Sequence, residues 1–258
     1  MPVAGDIYYF HHKGGSASKP PLILIHGAGG NHLFWPPEIR RLAGYRVFAL
    51  DLPGHGGSEG AGRQSIEDYA RSVINFMDAV SLSKAVITGH SMGGAIGLSM
   101  ALNQPDRVAG IGLVASGARL RVAPGLIENT ANPDSFQSAI ELITNAAFGP
   151  HAESKVKAIA AERMSKTRST VLHSDLIACD HFDVLDRVHE ISLPALIVCG
   201  TEDKLTPIHF AETLASRMPC AALQTIDGAG HMVMLEQPRR VAGIMTVFMA
   251  TVPYTPGS

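Results

Sequence analysis

The chain has 258 residues, 46% hydrophobic and 17% charged, with a formal net charge of −2. This composition fits a soluble globular protein of one large domain, or a domain with an insertion, and the near-neutral balance without a basic stripe argues against a nucleic-acid partner. No apolar segment approaches the ~20 residues that span a bilayer, and Cys179, Cys199 and Cys220 lack the paired spacing of a disulfide or metal framework. A reducing compartment is the natural reading of that cysteine usage. The first residues have neither the charge nor the apolar run of a signal peptide, so a cytoplasmic protein is expected.

Residues 6–12 (DIYYFHH) are rich in β-formers and predict an opening strand. His11 and His12 are adjacent, so they face opposite sides of a strand and make a poor metal pair; a solvated strand is expected. Residues 22–26 form a continuous apolar run, which suits a parallel strand buried on both faces. The run enters His26-Gly27-Ala28-Gly29-Gly30, which lacks the lysine and the spacing of a phosphate loop. Small residues there suit a loop that offers a backbone N–H to a developing oxyanion, with His26 fixing the loop rather than acting as a base. A proline-started helix is expected over 35–42 and a strand over 46–50. Asp51 and His55 fall in the turn-rich segment that follows. They invite a catalytic role, but bracing of the turn is the favoured reading. Ser65 caps a helix over 65–80, where Ile66, Tyr69, Ala70, Val73, Phe76 and Met77 make one apolar stripe.

Residues 85–88 predict a buried strand and 94–104 a helix, with Gly89-His90-Ser91-Met92-Gly93 between them. A serine at such a turn is held in strained backbone, and neighbours with a Cβ would clash where strand and helix meet. The turn projects the Ser91 hydroxyl clear of the sheet. It leaves the Met92 N–H at a helix start, where an anion is welcome. A strand over 108–115 follows. No β-rich run recurs from 117 to 183; helices are expected over 133–148 with Asn132 as cap, over 151–166 and over 169–179. This reads as a helical insertion in an alternating α/β plan. The alternation resumes with a strand over 194–200 and a helix over 208–217, with Thr206 and Pro207 as cap and first helical residue. A strand over 222–226, the loop bearing His231 and a helix over 238–250 close the chain.

A serine hydroxyl needs a base to take its proton, and the base needs a group that orients it. In an open parallel sheet, functional loops gather at the carboxyl ends of the strands. Ser91, Asp203 and His231 each follow a predicted strand, in the order Ser, Asp, His expected of this fold's triad. No acid lies between Asp106 and Glu128, so the strand ending near 115 offers no alternative. Glu202 is a minor rival to Asp203, and Asp227 is too close in sequence to His231 to approach it from the opposite side.

Five motifs lie in order across nearly the whole chain: His26-Gly27-Ala28-Gly29-Gly30, Asp51-Leu52-Pro53-Gly54-His55-Gly56, Gly89-His90-Ser91-Met92-Gly93-Gly94, Gly200-Thr201-Glu202-Asp203 with Thr206-Pro207, and Gly230-His231. Together they resemble those of the α/β-hydrolase superfamily, in its lidded serine-carboxylesterase-like branch. The resemblance implies an α/β fold with a mostly parallel central sheet flanked by helices and a helical lid inserted after the sixth strand. The core would span 1–116 and 184–258, and the lid 117–183. The resemblance also implies Ser91 as nucleophile, His231 as general base and later acid, and Asp203 as orienting acid. Its oxyanion hole would use the N–H of Met92 and that of Ala28, with Gly29 as the alternative donor. The implied reaction is hydrolysis of a small-molecule carboxylic ester with a small or medium uncharged acyl or aryl group, without metal or organic cofactor.

Serine in place of aspartate argues against haloalkane dehalogenases and epoxide hydrolases. Two other readings stand beside the esterase. A carbon–carbon bond hydrolase of the meta-cleavage type typically carries tryptophan soon after the histidine, where this chain has Met232-Val233-Met234. A non-catalytic ligand-binding protein on the same fold often loses a triad member, and this chain keeps all three. The apolar residues Phe136, Leu142, Ile143, Phe148 and Met164 hint at an uncharged substrate group. Arg119 and Arg121 are expected to be solvated at the lid entrance, with carboxylate binding as the alternative.

Overall fold

Apolar runs without alternation suit strands covered on both faces, and such strands build the middle of this molecule. The computed structural model describes residues 2–255; residues 1 and 256–258 of the expected core lie outside them. The strands are β1 (Val3–Ala4), β2 (Ile7–His12), β3 (Leu22–Ile25), β4 (Val47–Asp51), β5 (Ala85–His90), β6 (Val108–Val114), β7 (Ala195–Gly200) and β8 (Ala221–Ile226). The helices before β7 are α1 (Pro37–Arg40), α2 (Ile66–Ala79), α3 (Met92–Asn103), α4 (Pro124–Ala131), α5 (Phe136–Ala147), α6 (Ser154–Ser165) and α7 (Ser169–His181). After it come α8 (Ile208–Arg217), α9 (Val233–Glu236) and α10 (Pro238–Thr251).

The strands form one eight-stranded sheet in the order β1-β2-β4-β3-β5-β6-β7-β8. β2 is antiparallel to β1 and β4, and every pairing from β4 to β8 is parallel. Strand alternation divides the core into two layers. Ile23 and Ile25 of β3 join Tyr69 of α2 and Ile96 of α3 on one face. Leu22 and Leu24 join Trp35, Ile39 of α1 and Met245 of α10 on the other. Each such side chain, fully buried, stabilises the fold by about 1.5–3 kcal/mol.

α2 begins as the sequence predicts, with Ser65 Oγ accepting from Asp68 N–H at 3.1 Å. Other boundaries differ. The helix expected over 35–42 is a 3-10 turn at His32–Phe34 followed by the short α1. Four helices, α4 to α7, fill the chain between β6 and β7, and α4 lies where no helix is expected. α5 starts at Phe136 behind Ser135, while Asn132 braces the preceding turn by accepting from Asp134 N–H at 3.0 Å. α8 starts at Ile208, which leaves Pro207 as its cap and frees Thr206 for another use. His11 is half-buried rather than solvated, stacked on Phe48 with ring centroids 4.2 Å apart. No helix among the described residues is long and apolar enough to cross a membrane.

Candidate active site

β5 passes into α3 through Ser91, whose φ of +52° and ψ of −116° lie outside the ordinary regions for an L-residue. Such backbone persists only when its surroundings impose it. Ser91 N–H donates to the Val114 carbonyl at 2.9 Å, and Ser116 Oγ–H donates to the Ser91 carbonyl at 2.8 Å. The flanking glycines are steric necessities. A Cβ on Gly89 would lie 2.0 Å from the Gly93 carbonyl carbon, and one on Gly93 would lie 2.4 Å from the Ile25 oxygen.

Asp203 follows β7 and His231 follows β8, so both reach the edge of the sheet that presents Ser91. His231 Nδ1–H donates to Asp203 Oδ2 at 2.9 Å. Asp203 Oδ1 accepts from the N–H groups of Leu205 and Thr206, and its Oδ2 from Thr206 Oγ1–H, each at 2.8 Å. Burial works against charge on Asp203, but His231 beside it and these donors hold its carboxyl below the usual range. An ionised, fixed carboxylate keeps the proton on Nδ1 of the imidazole and leaves Nε2 as the basic nitrogen. Ser91 and His231 line one cavity, and no hydrogen bond joins their side chains among the described residues. Free enzymes often hold this pair loosely until substrate arrives. Glu202 is exposed and Asp227 accepts from Thr201 at 3.4 Å, so neither rival carboxylate replaces Asp203 beside His231.

Two donors face no protein acceptor. Met92 N–H opens α3, and Ala28 N–H lies in the loop after β3; neither has a hydrogen-bond partner among the described residues. Gly29 N–H, the alternative donor in the sequence, is committed to Asp175 Oδ2 at 2.8 Å. His26 fixes the loop, as expected. Its Nδ1–H donates to the Gly27 carbonyl at 2.8 Å and its Nε2 accepts from Leu52 N–H at 3.1 Å. Burial holds that ring neutral, with its pKa pushed down to about 4. Asp51 braces its turn by accepting from His32 N–H at 2.6 Å, His32 Nδ1 at 2.8 Å and Gly57 N–H at 2.8 Å.

Several residues that the sequence did not single out for a role support the site. His90 Nε2–H donates to the His231 carbonyl at 3.0 Å and so pins the backbone of that histidine. Glu236 accepts from Gly230 N–H at 2.9 Å and from Gly149 N–H at 3.0 Å, which ties the His231 loop to the insertion. His90 sat inside a recognised motif and Thr206 beside another, so proximity was the one available clue. Asp175 sits within α7, and only the fold brings it to the Gly29 loop; Glu236 ends α9 six residues past Gly230, and only the fold brings it to Gly149.

The cavity holds about 300 Å³ and has a mostly apolar lining. The insertion contributes Leu126, Ile143, Met164, Leu172 and Leu176. Of the apolar residues singled out from the sequence, Ile143 and Met164 reach it; Leu142 is 58% exposed, and Phe148 is buried in the core. Arg119 and Arg121 are exposed, as expected, and both pair with Asp183, at 2.6 and 3.2 Å; Arg121 also lines the cavity. Among the described residues no cluster of three or more His, Cys, Asp or Glu side chains is placed to hold a metal ion.

A strained serine, a fixed Asp–His pair and two unpartnered backbone donors gather at one edge of a parallel sheet, the arrangement expected of the α/β-hydrolase class. The chain matches the family described as alpha/beta hydrolase fold over residues 20–238, and it belongs to that family. It is 32% identical over 244 residues to the dihydrolipoyllysine-residue acetyltransferase component of the acetoin cleaving system of Pseudomonas putida, covering 89% of this chain and 63% of that longer protein. It is 25% identical over 242 residues to 3-oxoadipate enol-lactonase 1 of Acinetobacter baylyi, covering 91% of this chain and 90% of that one. Among solved structures, a thermophilic esterase superposes with a TM-score of 0.82 at 30% identity, covering 95% of this chain and 94% of that one. The family match, the enol-lactonase and the esterase support a hydrolytic function.

Proposed function

We propose that the protein is a serine hydrolase that cleaves carboxylic esters with small or medium uncharged acyl or aryl groups. The observation that carries this reading is that the strained Ser91 and His231, the latter bonded to Asp203, line one largely apolar cavity. In the proposed reaction His231 Nε2 takes the Ser91 proton as Oγ attacks the ester carbonyl carbon. The N–H groups of Ala28 and Met92 stabilise the tetrahedral oxyanion, an effect of about 3–4 kcal/mol for one such donor. The intermediate collapses, and His231 gives the proton to the departing alcohol. Water, deprotonated by His231, then attacks the acyl-enzyme; acid is released and Ser91 is restored. The helical insertion over 117–183 acts as the lid of the pocket in this reading, and its apolar side chains favour uncharged groups. One relative is an enol-lactonase, and a lactone is an internal ester, so lactones belong among the candidate substrates.

The test is a series of 4-nitrophenyl esters from acetate to decanoate, with Ser91→Ala in parallel. Turnover that falls with chain length and drops at least about 10³-fold in the variant is expected. A folded protein that turns over no ester would overturn the reading. Fluorophosphonate labelling of Ser91 would then point to a carbon–carbon bond hydrolase, and absence of labelling to a binding protein.

A further inference from the structure

Gly29 sits inside the candidate oxyanion loop, and residues of the insertion hold both polar groups of its backbone. Its N–H donates to Asp175 Oδ2 of α7 at 2.8 Å, and its carbonyl accepts from Thr167 Oγ1–H at 2.9 Å. Asp175 is fully buried and Thr167 nearly so. Gly29 has a φ of +65°, and a Cβ there would stand 3.0 Å from Leu172 Cδ1, so α7 lies directly against the loop.

Asp175 is itself firmly fixed. Its Oδ2 also accepts from His55 Nε2–H at 2.8 Å, and its Oδ1 accepts from the Tyr69 hydroxyl. His55 Nδ1 faces the Pro53 carbonyl at 3.1 Å, so both ring nitrogens meet acceptors and both carry protons. A buried ion pair is weak evidence of added stability, because desolvation offsets much of its attraction. This one instead sets geometry, since it delivers a rigid acceptor to one backbone N–H. Neither Asp175, Thr167 nor His55 lines the cavity, so any effect on chemistry must pass through the loop.

We propose that Asp175, assisted by Thr167, is a positioning residue for acyl transfer: by fixing Gly29 it aims the neighbouring Ala28 N–H at the oxyanion. A donor works only when it lies about 2.7–3.1 Å from the place the oxyanion will occupy, and a loop free to rotate at Gly29 would miss it. The inference rests on the hydrolase reading above.

The test compares wild type with Asp175→Ala, Asp175→Asn and Thr167→Val. It uses 4-nitrophenyl butyrate, a boronic acid that forms a tetrahedral adduct with serine, and fluorophosphonate titration to count competent sites. Losing an oxyanion donor outright costs about 10²–10³-fold in kcat, so a misaimed donor should cost less. Asp175→Ala is expected to lower kcat per titrated site about 10- to 100-fold with KM within about twofold, and to weaken the boronic acid by a similar factor. Asp175→Asn keeps an oxygen for Gly29 N–H and should recover most of that loss. Thr167→Val should cost about three- to tenfold, and it carries the test if Asp175→Ala does not fold. Unchanged kcat per titrated site in the variants that fold, or lowered kcat with boronic acid affinity intact, overturns the inference while the hydrolase reading stands. An inert, unlabelled wild type overturns both.

Discussion

Ser91 owes its proposed reactivity to neighbours with no substrate to bind, and the division of labour shows in single side chains. Asp203 accepts four hydrogen bonds, from His231, Leu205 N–H and both donors of Thr206. Its charge is therefore fully compensated in place, and it can orient His231 without taking the proton itself. Asp203→Asn should lower kcat by about 10³–10⁴-fold while leaving a measurable residue, because the amide favours the wrong imidazole tautomer. Glu202→Gln should stay within about twofold of wild type, since that side chain is exposed and makes no bond to His231. A steady-state comparison of the two variants on one ester decides the point, and a larger loss in Glu202→Gln would sink the assignment. Ser91, Asp203 and His231 were legible in the sequence because each sits just past a strand and beside the glycines that open its loop. Thr206 was visible but misread, as its hydroxyl serves Asp203 instead of a helix end. Asp175 was not legible at all: it lies inside an ordinary helical stretch, and its three partners are brought to it only by the fold.

At the scale of elements, the closest constraint is the crossing of α3 over β3 and β5. The β-strands were readable because burial on both faces leaves unbroken apolar runs, as in Leu22-Ile23-Leu24-Ile25. α3 was readable for the same reason, being buried along nearly its whole length. The short pieces were not. α4 begins with Pro124 and Gly125, a pair that reads as a turn, and the four-residue α9 holds too little periodicity to stand out, whereas α1 was expected from its prolines but over the longer range 35–42. Two glycines of α3 give a matched prediction. A Cβ on Gly93 would press to 2.4 Å on a backbone oxygen of β3, whereas one on Gly97 would meet only Ile87 Cγ2, at 3.6 Å. Gly93→Ala should therefore displace α3, cost about 1–3 kcal/mol or more, and abolish activity through the misplaced Ser91 and Met92. Gly97→Ala should raise stability by about 0.5–1 kcal/mol, because alanine is the better helix former, with kcat unchanged. Thermal melts and ester turnover on both variants check this; equal behaviour of the pair would contradict the packing described.

For the molecule as a whole, the histidines beneath the site set how stability responds to acid. His26 and His90 are both enclosed, and burial pushes their pKa values down to about 4 and about 3. In the unfolded chain each titrates near 6.5. As pH falls below that value the unfolded state binds two protons that the native state refuses, and stability declines by about 1.4 kcal/mol per pH unit for each ring. His55 behaves oppositely. Burial opposes its charge, but Asp175 holds its pKa above 6.5, so its contribution is complete in acid and is lost only as pH rises through the folded value. Asp51 and Asp203 lie below 3.8, so their contributions persist until pH falls beneath that range. Glu236, raised by burial, gives a smaller opposing slope close to its own pKa. Between pH 6 and pH 5 the two neutral histidines therefore dominate. The unfolding free energy from urea titration should drop by about 2–3 kcal/mol over that interval, a large share of the roughly 5–15 kcal/mol typical of a domain. The His26→Asn variant should be less stable at neutral pH, having lost its bonds to Gly27 and Leu52, yet show about half the slope, since one of the two rings is gone. A wild-type curve flat between pH 6 and pH 5, or a slope unchanged in His26→Asn, would show that these rings take up protons in the native state and that the base of the site is open to water.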